Sequence, residues 1–309
     1  MSRRGAVHPG EPVALASGVH WVGALDPELR QFDIILRTAN GTSYNAYAVR
    51  GSDGVAVIDT VKAEFAADFF ARLWAVCKPS EISAIVLNHL EPDHTGALPE
   101  LLRAAPQAKL YLSFPALKML KGLVKESLDE NRIVPVDEDT RVDLGGRSLR
   151  FLHTPYLHWP DTQCTWVEED GLLFSGDVFG CHFCDARLFN DHVGDFRFSF
   201  DYYYQHIMRP FREHVLTALD LIEPLPVRLI APAHGPILRD MPASYVRRYR
   251  QLAAPLLTNE AGEREKTLLV FYISAYGNTA RMAEAVRDGA ECVEGVRVSL
   301  YDLAGGDPA

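Results

Sequence analysis

The segment that most constrains this chain runs from His89 to His94 and places four acidic or histidine side chains within six residues, in the order His-Leu-Glu-Pro-Asp-His. It directly follows Ile82 to Leu87, a continuous apolar run that predicts a buried strand. We expect the segment to be a loop rather than a helix, so that its side chains surround a pair of metal ions. Pro92 stiffens that loop because its ring fixes φ.

Three more candidate ligands are each predicted at the end of a strand or on the loop after one. They are His158 in Leu-His-Trp-Pro-Asp, Asp177 in Phe-Ser-Gly-Asp, and His234 in Ala-His-Gly. A single histidine in such a place more often packs in a core or caps an element. Three such positions beside Gly, Pro or Trp favour a metal site over the alternative, a polar loop that binds no metal.

Short strands and amphipathic helices are predicted to mix through most of the chain. Hairpins are expected at Gly145-Gly146 and at residues 169–171, where turn residues separate β-prone runs. Strand pairs with intervening helices favour two sheets flanked by helices over a simple doubly wound sheet. The other predicted strands are Gly41 to Gly51, Val55 to Asp59, Lys109 to Ser113 and Val227 to Ala231, and the helices include Ala63 to Cys77 and Ala97 to Ala104.

The composition changes at Thr258 to Lys266, which is charged and without periodicity, as is typical of a linker. A new strand–helix–strand pattern follows. We therefore predict a first domain over residues 1–258, a linker over 259–266, and the start of a second α/β domain over 267–309.

These residues together resemble the metallo-β-lactamase superfamily and, within it, the flavodiiron proteins. The superfamily usually has His-x-His-x-Asp-His and binds zinc, whereas Glu91 gives this chain the flavodiiron pattern His-x-Glu-x-Asp-His. A carboxylate in place of an imidazole favours a harder, redox-active metal such as iron. Residues 156–162 and 174–180 also match family segments, and the resemblance covers nearly all of residues 30–309. It implies an αββα sandwich.

The resemblance also implies a role for each candidate ligand in a di-iron centre. Asp177 would bridge the two irons. One iron would be held by His89, Glu91 and His158, and the other by Asp93, His94 and His234.

A loop between a predicted strand and helix is a second candidate site. Its small and hydroxyl residues would let backbone N–H groups surround a phosphate; they are Ser274, Ala275, Tyr276, Gly277, Asn278 and Thr279. An ordinary strand–helix turn is the alternative. In the flavodiiron pattern this loop is similar to the first FMN-binding loop of a flavodoxin domain. Such a domain needs about 100 residues or more, so we expect Thr267 to Ala309 alone to hold FMN poorly.

The bulk composition excludes several classes of function. Net charge is −10, which disfavours nucleic acid and anionic membranes as partners, and no apolar run is long enough for a bilayer. Five scattered cysteines and the absence of an apolar signal core predict a cytoplasmic protein. Cys181 and Cys184 form a Cys-x-x-Cys pair, for which packed free thiols are favoured over a redox or metal role.

The flavodiiron resemblance implies an oxidoreductase that reduces O2 to water, NO to N2O, or both, at two irons supplied with electrons through FMN. It further implies a head-to-tail homodimer or larger assembly, and rubredoxin or an NAD(P)H flavin reductase as electron donor. Two alternatives stay open: a binuclear zinc hydrolase of the same fold acting on a thioester, lactone or phosphoester, and a non-catalytic subunit of a larger assembly.

Overall fold

Two largely buried β-sheets dominate residues Met1–Ala253, the first of two units into which the chain divides. The computed structural model describes residues 8, 10–32, 36–123, 129–254 and 266–304. The second unit is Ala254–Ala309. The predicted linker over 259–266 lies outside the described residues except for Lys266, and the predicted domain boundaries stay a prediction.

The strands of the first unit are numbered along the chain. They are β1 (Val13–Ala16), β2 (Val19–Trp21), β3 (Ala24–Asp26), β4 (Gln31–Phe32), β5 (Leu36–Arg37), β6 (Thr42–Tyr44), β7 (Tyr47–Arg50), β8 (Val55–Ile58), β9 (Ile82–Val86), β10 (Lys109–Ser113), β11 (Ile133–Val136), β12 (Arg141–Asp143), β13 (Ser148–His153), β14 (Gln163–Val167), β15 (Leu172–Gly176) and β16 (Leu229–Pro232). Its α-helices are α1 (Ala66–Val76), α2 (Pro92–Thr95), α3 (Leu98–Ala104), α4 (Phe114–Leu123), α5 (Arg197–Tyr203), α6 (Arg212–Ile222) and α7 (Pro242–Ala253).

The larger sheet has seven strands in the order β1-β2-β7-β8-β9-β10-β11, and the other has five in the order β12-β13-β14-β15-β16. Strands β8, β9, β10 and β11 are parallel to one another, as are β15 and β16. Every residue of β8, β14, β15 and β16 is buried. Strands covered on both faces read as continuous apolar runs, which is why Val55 to Ile58 shows no alternation.

Three groups of buried apolar side chains hold the layers together. One lies between the sheets and includes Ile58 and Val86 from the first sheet and Phe151 and Phe174 from the second. Another packs α1 and α3 on the outer face of the seven-stranded sheet, and the third packs α5, α6 and α7 on the outer face of the five-stranded sheet. The layers are therefore helix, sheet, sheet, helix, which confirms the predicted αββα sandwich.

Two local expectations are corrected. The segment His89 to His94 is not all loop, because Pro92 starts the single helical turn α2, where proline at the first position needs no N–H partner. The predicted strand Gly41 to Gly51 is divided into β6 and β7 at Asn45. The Asn45 amide donates to Ala233 O at 2.8 Å and its side chain donates to Pro232 O and Gly235 O, so the backbone leaves the sheet there.

The second unit is a short strand–helix–strand piece. It contains β17 (Lys266–Tyr272), α8 (Asn278–Glu291) and β18 (Val296–Asp302), and the two strands are parallel. This matches the predicted pattern in type and order. Leu269, Phe271 and Met282 of this unit are exposed, each by more than two fifths of its surface. In the described part of the chain, no helix has the length and hydrophobicity needed to cross a membrane.

Candidate metal centre

All seven predicted ligands lie on connections that follow strands at one end of the sandwich. The segment His89 to His94 follows β9, His158 lies between β13 and β14, Asp177 follows β15 directly, and His234 follows β16. Because β9 and β15 lie in different sheets, both sheets contribute to the cluster. The carboxyl ends of parallel strands commonly carry a fold's ligands.

The ligand atoms form two groups, in each of which they lie within 4.8 Å of one another. The first consists of His89, Glu91, His158 and Asp177, and the second of Asp93, His94 and His234. In the first group Glu91 Oε2 is 3.2 Å from His89 Nε2 and 3.1 Å from His158 Nε2. In the second, Asp93 Oδ2 is 3.2 Å from His234 Nε2.

Asp177 lies between the two groups, with one carboxylate oxygen directed to each. Its Oδ2 is 3.7 Å from His89 Nε2 and 3.4 Å from His158 Nε2. Its Oδ1 is 3.4 Å from His94 Nε2 and 3.5 Å from His234 Nε2. Gly176 turns the chain into this position with φ of +56°, a conformation that glycine adopts without strain.

The polar atoms of the cluster fit a pair of cations. Both carboxylate oxygens of Asp93 and of Asp177, and both ring nitrogens of His94, are buried without a hydrogen-bond partner among the described residues. A buried carboxylate without hydrogen bonds is costly unless it is paired or coordinates a metal. Three carboxylates and four imidazoles are the donor set that suits iron or zinc.

The charges of the cluster also fit a pair of metal ions. Burial lowers the pKa of His89, but Asp161 and Glu91 outweigh it and raise the pKa to about 10. Burial also lowers the pKa of His158, and Asp177 and Glu91 raise it to about 10. For Asp177 burial raises the pKa, but the neighbouring imidazoles hold it well below the usual range. Protons on His89 and His158 thus balance the carboxylates, and a metal ion that takes these nitrogens has to displace them.

Hydrogen bonds from outside the ligand set fix the connections. Asn88 N, next to His89, donates to Asp59 Oδ1 at 2.7 Å. Burial raises the pKa of that carboxyl to about 6. On the next turn, His94 O accepts from Thr60 N at 2.8 Å and from its hydroxyl at 2.7 Å. His234 Nδ1 lies 2.7 Å from Ser43 O, which directs Nε2 towards the cluster.

A cavity of about 230 Å³ reaches the cluster. Its lining includes the ligands Glu91 and Asp93, and otherwise consists of Leu29, Gln31, Phe32, Tyr44, Lys62 and Pro92. Half of these residues are apolar or aromatic, and the other half are polar or charged.

Several residues beyond the ligands also lie at the cluster. His182 stacks on Phe32 with ring centroids 4.5 Å apart and lies 5.1 Å from His234, while its Nδ1 is 3.0 Å from Thr42 Oγ1. Burial lowers the pKa of His182 to about 3, so the ring is neutral. Tyr203 is buried beside His182. Cys181 and Cys184 are free thiols, and their lack of a redox or metal role stays a prediction.

No role was predicted for the buried Asp59 and Asp161, because neither belongs to the recognised set of ligands. In the sequence, Asp161 is noted only as the last residue of the segment Leu-His-Trp-Pro-Asp that contains His158.

The loop from Ser274 to Thr279 precedes and begins α8, as predicted. Gly277 takes φ of +80° at the start of the helix, and Ser274 Oγ is shielded from solvent without a hydrogen-bond partner in the described residues. Tyr276 is 93% exposed. An unpartnered hydroxyl beside a helix N-terminus fits a phosphate group.

The fold is that of a metallo-β-lactamase-like protein, and the two groups of predicted ligands form a candidate binuclear metal site. A family model described as the ODP family beta lactamase matches residues 42–235. The type A flavoprotein fprA of Rhodobacter capsulatus is 63% identical over 299 residues, which is 97% of this chain and 68% of that protein.

Two further comparisons extend the similarity. The anaerobic nitric oxide reductase flavorubredoxin of Aeromonas salmonicida is 36% identical, and the alignment covers 94% of this chain but 56% of that protein. The solved rubredoxin oxygen:oxidoreductase of Desulfovibrio gigas has a TM-score of 0.76 at 28% identity, covering 94% of this chain and 72% of that one. The chain belongs to the type A flavoprotein, or flavodiiron, family.

Proposed function

We propose that the chain carries the di-iron centre of an oxidoreductase that reduces O2 to water, NO to N2O, or both, with electrons delivered through FMN. Membership in the flavodiiron family supports an oxidoreductase with two irons and a flavin. The names of two similar proteins specify oxygen and nitric oxide respectively. The choice between the two gases is part of the proposal.

The position of Asp177 is the observation on which this proposal depends. One carboxylate whose two oxygens lie 3.4–3.7 Å from imidazoles of two separate groups fits a ligand shared by two metals. We assign one iron to His89, Glu91 and His158 and the other to Asp93, His94 and His234. Both groups combine imidazole with carboxylate, as a non-haem iron site requires.

When bound, two ferrous ions supply open coordination positions for a diatomic gas and electrons in pairs. The protein has to keep these ions together and limit access to them. The carboxylates of Glu91, Asp93 and Asp177 offset positive charge that increases on oxidation, and they do so in a buried site where electrostatic interactions are strong. Glu91 and Asp93 share the connection after β9, and Asp177 follows β15 in the other sheet, so the sandwich core fixes the spacing of the three carboxylates.

The cavity beside Glu91 and Asp93 provides the route for the gas. At about 230 Å³ it admits O2 or NO easily. The side chains of Phe32 and Tyr44 offer no charge to an incoming molecule.

Electron delivery is the second half of the proposed function. We assign the loop from Ser274 to Thr279 to the FMN phosphate, supported by Gly277 and by the unpartnered Ser274 hydroxyl. We further propose a head-to-tail homodimer, and rubredoxin or a flavin reductase as the donor. The name of the Desulfovibrio gigas protein specifies rubredoxin for that protein.

Gas consumption by the purified chain tests the proposal. The chain is loaded anaerobically with Fe²⁺, reduced with dithionite, freed of excess reductant, and mixed with a known amount of O2 or NO. Two ferrous ions supply two electrons per chain, so we expect the Fe²⁺-loaded chain to consume about one O2 per two chains or about two NO per chain, and the Zn²⁺-loaded chain to consume neither. A chain that holds two irons but consumes neither gas would contradict catalysis, and hydrolysis of a thioester or lactone by the Zn²⁺-loaded chain would support the hydrolase.

A further inference from the structure

The connections that carry His89 and His158 are joined by a set of hydrogen bonds centred on Asp161. Gln163 N donates to Asn88 O at 2.9 Å, and its side chain donates to Leu87 O at 3.0 Å. Asp161 Oδ2 accepts from Leu90 N at 2.8 Å and lies 3.1 Å from His89 Nδ1. The Asp161 side chain is fully buried, so this contact is shielded from water.

The contact between Asp161 and His89 determines which nitrogen of His89 faces the metal. A carboxylate accepts hydrogen bonds, so Nδ1 carries the proton and Nε2 is left as the ligand atom. His89 Nε2 is the nitrogen that lies 3.2 Å from Glu91 Oε2 and 3.7 Å from Asp177 Oδ2. The edge of Trp159, at a ring-centroid distance of 5.0 Å and nearly perpendicular, restricts rotation of the His89 ring.

The histidines of the second group lack such a carboxylate. His234 Nδ1 lies 2.7 Å from Ser43 O, a neutral carbonyl. His94 Nδ1 has no hydrogen-bond partner among the described residues. A carboxylate behind a ligating imidazole orients it and raises its basicity more than a neutral acceptor does. The two metal positions otherwise have matched donors, each with two imidazoles, one carboxylate of its own and one oxygen of Asp177.

We propose that Asp161 is a positioning residue that makes the metal position of His89, Glu91 and His158 bind metal more tightly than the position of Asp93, His94 and His234. The two positions therefore fill in order, beginning at His89. This inference rests on the proposed two-metal site. It adds a difference in metal affinity between two positions whose ligands are of the same types.

Titration of the metal-free full chain with Co²⁺, followed by visible absorption, tests the inference. We expect two binding steps for the wild type. Asp161→Asn keeps an oxygen that can accept from Leu90 N but removes the charge behind His89. Loss of a partner behind a ligand typically weakens metal binding about 10–100-fold. We expect this weakening only in the first, tighter Co²⁺ binding step. The two steps of the variant should then merge.

A matched control separates this effect from a loss of stability. Asp170→Asn removes a half-buried ion pair with Arg147, whose Nε lies 2.6 Å from Asp170 Oδ2. We expect a lower Tm with both Co²⁺ steps unchanged. If Asp161→Asn weakened both steps equally, or neither, Asp161 would have no selective role and the inference would be wrong.

An NMR measurement separates a positioning role of Asp161 from a purely structural one. In the Zn²⁺-loaded chain the His89 Nδ1–H proton should give a downfield NMR signal that exchanges slowly, and Asp161→Asn should shift it upfield. An unchanged signal would overturn the inference. A wild-type chain that binds fewer than two Co²⁺ ions would overturn the two-metal proposal itself, whereas two bound ions with no effect of Asp161→Asn would overturn only the role of Asp161.

Discussion

Glu91 is the ligand position at which this chain departs from the zinc-binding pattern of its superfamily. Its carboxylate lies 3.1–3.2 Å from two imidazoles and is buried. Burial raises the pKa of Glu91, but His158 and His89 outweigh it and hold the pKa below the usual range, so the group is an anion. An anionic oxygen ligand favours iron over zinc. An imidazole at this position should instead favour zinc over iron.

We therefore expect Glu91→His to change the metal that the chain selects. In cells supplied with equal iron and zinc, the iron-to-zinc ratio of the purified variant should fall by roughly tenfold relative to the wild type. Elemental analysis of both proteins measures this. An unchanged ratio would mean that Glu91 does not determine the metal.

Asp177 provides a second residue-scale prediction. Because its two oxygens face both ligand groups, Asp177→Asn should reduce the metal content from about two to about one or fewer ions per chain. Asp201→Asn, which removes the half-buried pair with Arg248, serves as a control and should keep the wild-type metal content. Retention of two ions by Asp177→Asn would show that the carboxylate does not bridge.

The sequence predicted which seven side chains cluster, but not their surroundings; that they bind metal stays a prediction. Seven His, Asp and Glu side chains next to Gly, Pro and Trp are recognisable because coordination restricts residue type. The contacts of Asp161 with His89 and of Ser43 with His234 depend on connections that meet only after folding. His234 Nδ1 contacts the backbone carbonyl of Ser43, and any residue at position 43 would have that carbonyl. The sequence therefore contains no signal for this contact.

At the scale of elements, the turn that carries Asp93 and His94 packs closely against the segment before α1. A Cβ on Gly96 would lie 2.2 Å from Ala63 N and 2.8 Å from Lys62 C, both backbone atoms. Gly96→Ala should therefore push α2 away and lower the free energy of unfolding by about 1–3 kcal/mol. Metal content should fall too, and urea unfolding with elemental analysis measures both.

Gly122→Ala is the matched control for that prediction. A Cβ at Gly122, on helix α4, would meet nothing within 4 Å. Alanine in place of glycine in a helix should raise the free energy of unfolding by up to about 1 kcal/mol, with no change in metal content. Equal effects of the two substitutions would contradict the close packing of α2.

Elements with a strong local pattern were predicted well, and elements that depend on distant partners were not. The strand Lys109 to Ser113 was predicted with its observed bounds, and both hairpins form at their expected turns. Strands β1 to β5 have only two to four residues each and were missed, because their stability comes from pairing rather than from local propensity. Helix α4 was missed because it follows β10 without an intervening turn signal.

For the whole molecule, the three apolar core groups and all seven ligands lie in the first unit. A chain ending at Ala254 should therefore fold cooperatively and keep its metals, with a Tm within a few degrees of the full chain. The second unit expressed alone should not fold, because its apolar side chains, such as Phe271 and Ile273, are largely exposed. Circular dichroism and metal analysis of both pieces would show this, and loss of metal from the shorter chain would contradict it.

The measurement that tests the central claim most directly is the iron and zinc content of the anaerobically purified chain. Family membership and the place of Asp177 between two ligand groups predict about two irons per polypeptide and little zinc. Two zincs that persist after iron-supplemented expression would contradict the di-iron centre and favour the hydrolase, and one metal or none would contradict the two-metal site.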